Sequence, residues 1–292
     1  MRPRRYFIAG TEFEAPELAA GLYVVATPIG NLRDMTIRGL ETLAAADVIY
    51  CEDTRTSAKL TTHFGIDTPR KALHEHNERA LVEAIAGDIA RGGRVALISD
   101  AGTPLLSDPG FPLVRGVREA GLPVFAAPGA SALLAALAVA GLPTDAFSFM
   151  GFLPPKAEGR KTALSELKGR RETLVFYESP RRLRESLTAM AEIFGAERPA
   201  VVALELTKKF ERVSRGPLGE LASQFGEAEK GEAVILVAGA TEVAIDPDEW
   251  RAALAEAMVD QPLRAAVDEI AARFSLKRKD VYDAALALKA EE

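Results

Sequence analysis

The chain has 292 residues, 48% of them hydrophobic and 27% charged, with a formal net charge of −6. That excludes a disordered chain and provides for two domains plus a small appendage, while the longest apolar run, Ala132 to Leu142, is far short of the roughly 18–20 residues that span a bilayer. The one cysteine, Cys51, excludes an internal disulfide and a Cys-based zinc cage, and suits a reducing cytoplasm.

Residues 1–20 show no convincing period and read as an N-terminal extension. Beyond them, buried-strand runs and helical patterns alternate. Leu22–Thr27 is the first such strand, followed by the turn-rich Pro28-Ile29-Gly30-Asn31. Thr36 is placed to cap a helix with Ile37, Leu40 and Leu43 at helical spacing, and Val48–Cys51 is the next strand. Asn77 is read as the cap of a helix carrying Leu81, Ile85 and Ile89 on one face, stopped by Gly92-Gly93. Val95–Ser99, a helix near Phe111–Ala120, Val124–Ala127 and the very apolar helix Ser131–Ala140 complete a half in which strands are parallel and helices cross over.

After the connector Gly141-Leu142-Pro143-Thr144, strand-like runs recur at Phe147–Phe152, Leu174–Tyr177, Val201–Leu206 and Ala233–Val237. Helices are expected near Arg181–Ile193 and Leu218–Phe225, and Phe210–Pro217 is polar enough for an edge strand or hairpin, so this half carries a mixed sheet. Asp246-Pro247-Asp248 then opens a purely helical stretch. Trp250, Leu254 and Met258 share one face, Leu263, Val267, Ile270 and Phe274 the next, and Val281, Ala285 and Leu288 a third: a mini-bundle consistent with a helix-turn-helix. The expected division is therefore 1–20, 21–142, 143–242 and 246–292.

Charge is uneven along the chain. Lys156 to Arg215 holds 14 Lys/Arg against 9 Asp/Glu, a basic island in an acidic protein that can face phosphate or simply be solvated helix surface. The last 45 residues hold 7 basic against 10 acidic, with Lys277-Arg278-Lys279 as their one basic cluster.

The chain lacks the P-loop and the G-x-G-x-x-G fingerprint. Gly129-Ala130-Ser131-Ala132-Leu133 lacks the closing glycine of a nucleophile elbow. His74 and His76 would share one side of a strand, but with only His63 besides, hydrogen-bonding roles are favoured and no metal is expected. What remains is a set of loops, each directly after a strand: Thr27–Leu32, Glu52-Asp53-Thr54-Arg55, Ser99–Gly110 and Pro128–Ala132. Carboxyl ends of strands form the ligand crevice of an open α/β sheet, and loops rich in Gly, Ser and Thr offer main-chain groups to a ligand. The run Ser99-Asp100-Ala101-Gly102-Thr103-Pro104-Leu105-Leu106-Ser107-Asp108-Pro109-Gly110 has more special residues than a turn requires.

That run resembles the S-D-A-G-x-P-x-x-S-D-P-G signature of the ribosomal RNA small subunit methyltransferase I family, within the tetrapyrrole-methylase-like superfamily. The segments Ala26–Leu32, Cys51–Arg55, His76-Asn77-Glu78, Pro128–Ala132, Phe176-Tyr177-Glu178-Ser179-Pro180-Arg181-Arg182 and Glu205–Glu211 resemble it too, in the family's order. The resemblance runs from about Leu22 to Gly239, and the helical tail is similar to the family's small C-terminal domain.

The resemblance implies two α/β domains of the tetrapyrrole-methylase type with a cofactor cleft between them, and a helix-turn-helix-like tail. The implied activity is transfer of a methyl group from S-adenosylmethionine to the ribose 2′-hydroxyl of a cytidine in small-subunit rRNA, in an assembled 30S particle, by a cytoplasmic homodimer with no membrane partner. By matching motif, cofactor contacts are expected at Pro28, Asp100, Ala101, Gly102, Thr103, Ser131, Ala132, Tyr177, Leu206 and Ala233. Tyr177 is read either as an adenine-packing ring or as core. The acceptor hydroxyl must lose a proton, and Asp100, then Glu52 or Asp53, and more remotely His76, are the candidate bases. Asp100 is equally readable as a loop anchor, and Asp53 as the partner of Arg55. Arg181, Arg182, Lys208 and Lys209 are the candidate RNA contacts. Two alternatives stay open at this point: a superfamily enzyme acting on a porphyrinoid or protein acceptor, and a non-enzymatic helix-turn-helix ligand sensor.

Overall fold

A computed structural model describes residues 4–226, 229–240, 247–274 and 276–291. The chain divides into two compact units, Met1–Ala240 and Thr241–Glu292. Asp246, at the expected start of the tail, lies outside the described residues.

The first unit opens with a hairpin, β1 (Arg5–Ile8) and β2 (Thr11–Glu14), turned by Ala9 and Gly10 at positive φ. This corrects the expectation of an unpatterned extension. Tyr6 and Ala15 are buried in the core beside Leu43 and Phe64, and the Phe7 N–H donates to the Phe64 carbonyl. A four-residue strand is too short for its alternation to stand out from noise, and only its packing identifies it.

The chain continues through β3 (Gly21–Val25), α1 (Ile37–Ala45), β4 (Val48–Cys51), α2 (Thr54–His63), β5 (Arg70–Ala72), α3 (Glu78–Ala90), β6 (Arg94–Leu97), α4 (Phe111–Glu119), β7 (Val124–Ala127) and α5 (Ala132–Ala140). The five strands form one parallel sheet in the order β5-β4-β6-β3-β7. Alternation along the strands assigns the two faces. Ile49, Cys51, Ala96 and Ile98 join the layer formed by α1, α2 and the hairpin, while Tyr50, Val95 and Leu97 join that of α3 and α4. All four special loops leave the carboxyl edge of this sheet.

Local signals fared unequally. The Thr36 hydroxyl accepts from the Gly39 N–H and so caps α1 as expected, but Ile37 at the helix start is 60% exposed. Asn77 does not cap α3 through its side chain; its Oδ1 accepts from the His74 N–H and its Nδ2 donates to the Ala72 carbonyl. Glu78, 3% exposed, accepts from the Leu113 N–H and ties the start of α3 to that of α4. Helix α2 was not expected, because its sequence Thr-Arg-Thr-Ser-Ala-Lys-Leu-Thr-Thr-His is polar overall, with Ala58 and Leu60 its only apolar residues, and buries only Ser57, Leu60 and Thr61.

The second sheet comprises β8 (Phe147–Phe152), β9 (Thr173–Glu178), β10 (Pro199–Leu204), β11 (Arg212–Pro217) and β12 (Ala233–Val237), in the order β11-β10-β12-β9-β8. It is mixed: β8 pairs parallel to β9, and the other pairings are antiparallel. The edge position of β11 is the one its polarity predicted. Helices α6 (Ala157–Leu167), α7 (Leu183–Phe194) and α8 (Leu218–Gln224) cover one face. The other face, with Val175, Val201, Ala203, Val234 and Leu236, is covered by α5 through Leu133, Ala136, Leu137 and Ala140. The last helix of the first half is thus part of the core of the second, and Ile29 of the loop after β3 joins the same cluster.

The second unit contains α9 (Pro247–Asp260), α10 (Leu263–Arg273) and α11 (Arg278–Glu291). The three expected faces meet in one cluster around Leu254, Val267, Ile270, Val281 and Ala285.

Candidate functional site

Sharp loops build the site. Thr27, in the loop after β3, and Gly102, in the loop after β6, exchange both backbone hydrogen bonds, at 2.8 and 3.0 Å. Gly102 holds φ at +78°, a conformation L residues rarely adopt, and a Cβ there would lie 3.3 Å from Ile29. Downstream, Leu105 and Ser107 sit at φ +76° and +66°, and in the second half Glu205 and Thr207 flank Leu206 at +51° and +65°. Non-glycine residues in this region cost of order 1–3 kcal/mol each and concentrate where function holds them.

Between these loops is a cavity of about 380 Å³, within the ordinary range for a small organic ligand. Seven of the ten residues matched by motif to cofactor contacts line it: Asp100, Ala101, Gly102, Thr103, Ala132, Tyr177 and Ala233. Three do not. Pro28 lines a smaller neighbouring cavity, Leu206 is 8% exposed in the layer beneath, and Ser131 is buried at the head of α5 beside the Tyr177 hydroxyl. The Tyr177 ring meets Phe149 and Phe152 edge-on, at 4.8 and 5.7 Å between centroids, and its hydroxyl accepts from the Leu133 N–H at 3.2 Å. It is therefore both a wall of the cavity and a fixed part of the α5 junction.

Four carboxylates and no Lys, Arg or His line this cavity. Two are spoken for. Glu178 accepts from the Ser179 N–H, Ser186 and Arg182, and Glu232 pairs with Lys208. Asp100 and Asp108 remain to face a ligand. Burial and the nearby Glu52 carboxylate push the Asp108 carboxyl up to about 6, and burial also raises Asp100 and Glu52. Asp108 was quoted in the loop motif but not singled out; nothing in sequence shows that it turns back into the cavity, which takes the positive φ at Leu105 and Ser107. An electronegative hollow with apolar walls suits a cationic organic ligand and disfavours one bearing phosphates.

The other candidates fall elsewhere. Asp53 heads α2, where its carboxylate accepts from the backbone and guanidinium of Arg55, which holds it down at about 2. Its N–H donates to Asp100 Oδ1 at 3.2 Å, so it positions Asp100. Glu52 is exposed and lines neither cavity. His74 and His76 lie beyond the end of β5 in a turn, which corrects their expected place along a strand; their rings meet edge-on at 5.9 Å. Of the basic residues, Arg182 donates to the Leu153 carbonyl and to Glu178, and Lys208 pairs with Glu205 and Glu232 while its stem lies against Gly30. Arg181 and Lys209 are exposed, Lys209 over the ring of Phe210, itself 74% exposed.

The sequence matches the family of Tetrapyrrole (Corrin/Porphyrin) Methylases over residues 21–222 and the RsmI C-terminal HTH domain over residues 244–289. It is 46% identical to the ribosomal RNA small subunit methyltransferase I of Mesorhizobium japonicum over 284 residues, covering 97% of each chain. Its identity to the Vibrio cholerae protein of the same name is 44% over 272 residues, 91% of this chain and 94% of that one. The crystal structure of uroporphyrin-III-C-methyltransferase from Thermus thermophilus superposes with a TM-score of 0.55 at 21% identity, over 75% of this chain and 94% of that chain. That likeness bears on the fold alone.

Proposed function

Because the chain belongs to the ribosomal RNA small subunit methyltransferase I family of the tetrapyrrole methylases, we propose that it transfers a methyl group from S-adenosylmethionine to the ribose 2′-hydroxyl of a cytidine in small-subunit rRNA. One observation carries the cofactor assignment: a cavity of about 380 Å³ whose unpaired charges are two carboxylates, with no basic residue on its walls. When bound there, S-adenosylmethionine supplies a methyl carbon on a positively charged sulfur, and transfer breaks the C–S bond as the acceptor O–C bond forms. The Asp100–Thr103 and Gly231–Val234 main chain would hold it, with Tyr177 and Phe152 excluding water. Asp100 takes the hydroxyl proton, and Asp53 orients it.

Residues 21–142 and 143–242 then act as the two halves of the catalytic part, and 246–292 as a tail that places the substrate. Arg181 and Lys209 are the first candidates for rRNA phosphates, Arg182 and Lys208 being held by neighbouring carboxylates and carbonyls. The reading includes a cytoplasmic homodimer acting on the assembled 30S particle. No helix among the described residues is long and apolar enough to cross a membrane.

The test is labelled S-adenosylmethionine with purified 30S particles, naked small-subunit rRNA or a porphyrinoid. Label is expected on a cytidine ribose of the 30S substrate; label on the porphyrinoid alone overturns the reading. A chain cut near residue 246 is expected to bind the cofactor normally and to methylate 30S about tenfold or more slowly, since the acidic tail adds placement rather than affinity. Equal rates would remove the tail from substrate handling.

Asp108 gives the cofactor site a pH signature. With its carboxyl at about 6, it is charged at pH 7.5 and mostly neutral at pH 5. A cation prefers the charged form, so S-adenosylmethionine affinity is expected to fall by up to about tenfold in all between pH 7.5 and 5. Calorimetry between pH 5 and 7.5 checks this, and Asp108→Asn is expected to flatten the dependence. A flat wild-type profile would mean that the Asp108 charge is not used.

A further inference from the structure

Beside the cofactor-sized cavity lies a second of about 160 Å³, lined by Thr27, Pro28, Gly30 and Leu32 of the first loop, Thr56, Ser57, Lys59 and Leu60 of α2, and Ile98, Ser99 and Asp100. Asp100 is the one residue common to both walls, and the Thr27–Gly102 backbone bridge runs between them. A transferase with two substrates needs two adjoining sites that meet at the reacting atoms. These two meet at the carboxylate best placed to take the acceptor's proton.

The smaller cavity is below the ~300–1,000 Å³ typical of whole-ligand sites, so it suits a single ring. Pro28, Leu32, Leu60 and Ile98 give it flat apolar sides. Its polar edge is unevenly used. The Thr27 hydroxyl donates to the Ser99 carbonyl, and the Ser99 hydroxyl to the Ala101 carbonyl. Ser57, only 3% exposed, has no oxygen or nitrogen partner for its Oγ and only the weak Cys51 thiol beside it. A buried hydroxyl without a strong partner is costly, and a ligand that supplies the bond relieves that cost. Lys59 is exposed on the same wall, where its ammonium can meet a phosphate outside the slot.

We infer that this slot holds the base of the acceptor nucleotide, with Ser57 hydrogen-bonded to the edge of a pyrimidine and the ribose left at Asp100. The inference rests on the rRNA reading above, and its test separates the two. With S-adenosylhomocysteine present, saturation transfer from protein to the base protons of cytidine 5′-monophosphate is measured on the full chain, beside calorimetry for S-adenosylhomocysteine and methylation of 30S particles. Ser57→Leu fills the slot from within, and Leu32→Trp closes it from its exposed rim, so one variant remains should the other fail to fold. Each is expected to leave S-adenosylhomocysteine affinity within about twofold, abolish transfer to the nucleotide, and cut methylation by about 100-fold. Loss of S-adenosylhomocysteine binding in the folded Leu32→Trp protein, or undiminished nucleotide transfer in both variants, overturns the slot. So does an absence of transfer to the wild-type protein at millimolar nucleotide. Transfer that both variants abolish, with no wild-type methylation of 30S, supports the slot while sinking the rRNA reading.

Discussion

Replacing Gly102 by valine is expected to weaken S-adenosylmethionine binding by about 100-fold or more while the protein still folds. Three features act together. The backbone at φ +78° disfavours any L residue and a β-branched one most, the new methyls would press on Ile29, and the residue is itself part of the cavity wall. Relaxing φ would pull on the paired hydrogen bonds with Thr27, which hold the first loop against the Asp100 loop. Strain of about 1–3 kcal/mol should lower Tm by several degrees. Gly102→Ala separates the causes, since it carries most of the backbone strain and little of the obstruction. Calorimetry on folded protein decides, and undiminished affinity in the valine variant would take this loop out of the site.

Asp100→Asn is expected to lower kcat by about 100-fold or more and to change cofactor affinity by less than about tenfold. The asparagine amide oxygen can still accept the Asp53 N–H, so the loop keeps its anchor and only the basic group is lost. Burial raises the Asp100 carboxyl above its ordinary range, so the wild-type rate is expected to climb with pH until that group is ionised. In the asparagine variant the acid limb should vanish. Single-turnover rates from pH 4.5 to 8 measure both effects. An unchanged rate constant and pH profile would leave Asp100 as a loop anchor and nothing more.

Several parts of the site were legible because their chemistry is local. Gly102, Pro104, Pro109 and Gly110 sit within one twelve-residue run after a strand, and such a density of special backbone residues is not needed for a turn. Thr36 capped as read because a cap and its target N–H are three residues apart. Asn77 misled for the same reason: a residue suited to capping is equally suited to a turn, and here the turn at His74 took it. Helix α2, which supplies Thr56, Ser57, Lys59 and Leu60 to the smaller cavity, stayed hidden because it is polar overall and two of its three buried residues are Ser57 and Thr61.

By itself the sequence determined the alternation of strands and helices, the parallel first sheet, the mixed second one, the three faces of the tail and the loops from which a site would be built. Each of these is set by periodicity or by backbone requirements within a few residues. Only the tertiary structure decided which charges are free. Lys208 and Arg182 read as surface cations, yet their partners Glu205, Glu232 and Glu178 belong to walls and floors that exist only after folding. Asp53, next to Glu52 in the chain, is spent on Arg55 and on orienting Asp100, whereas Asp108, unremarked among its neighbours, turns into the cavity with its carboxyl pushed up to about 6. Lys208 with Glu232, Asp53 with Asp100 and the burial of Asp108 join segments tens of residues apart, and even the short-range pairs, Lys208 with Glu205 and Arg182 with Glu178, close only on the backbone path that the packed chain imposes.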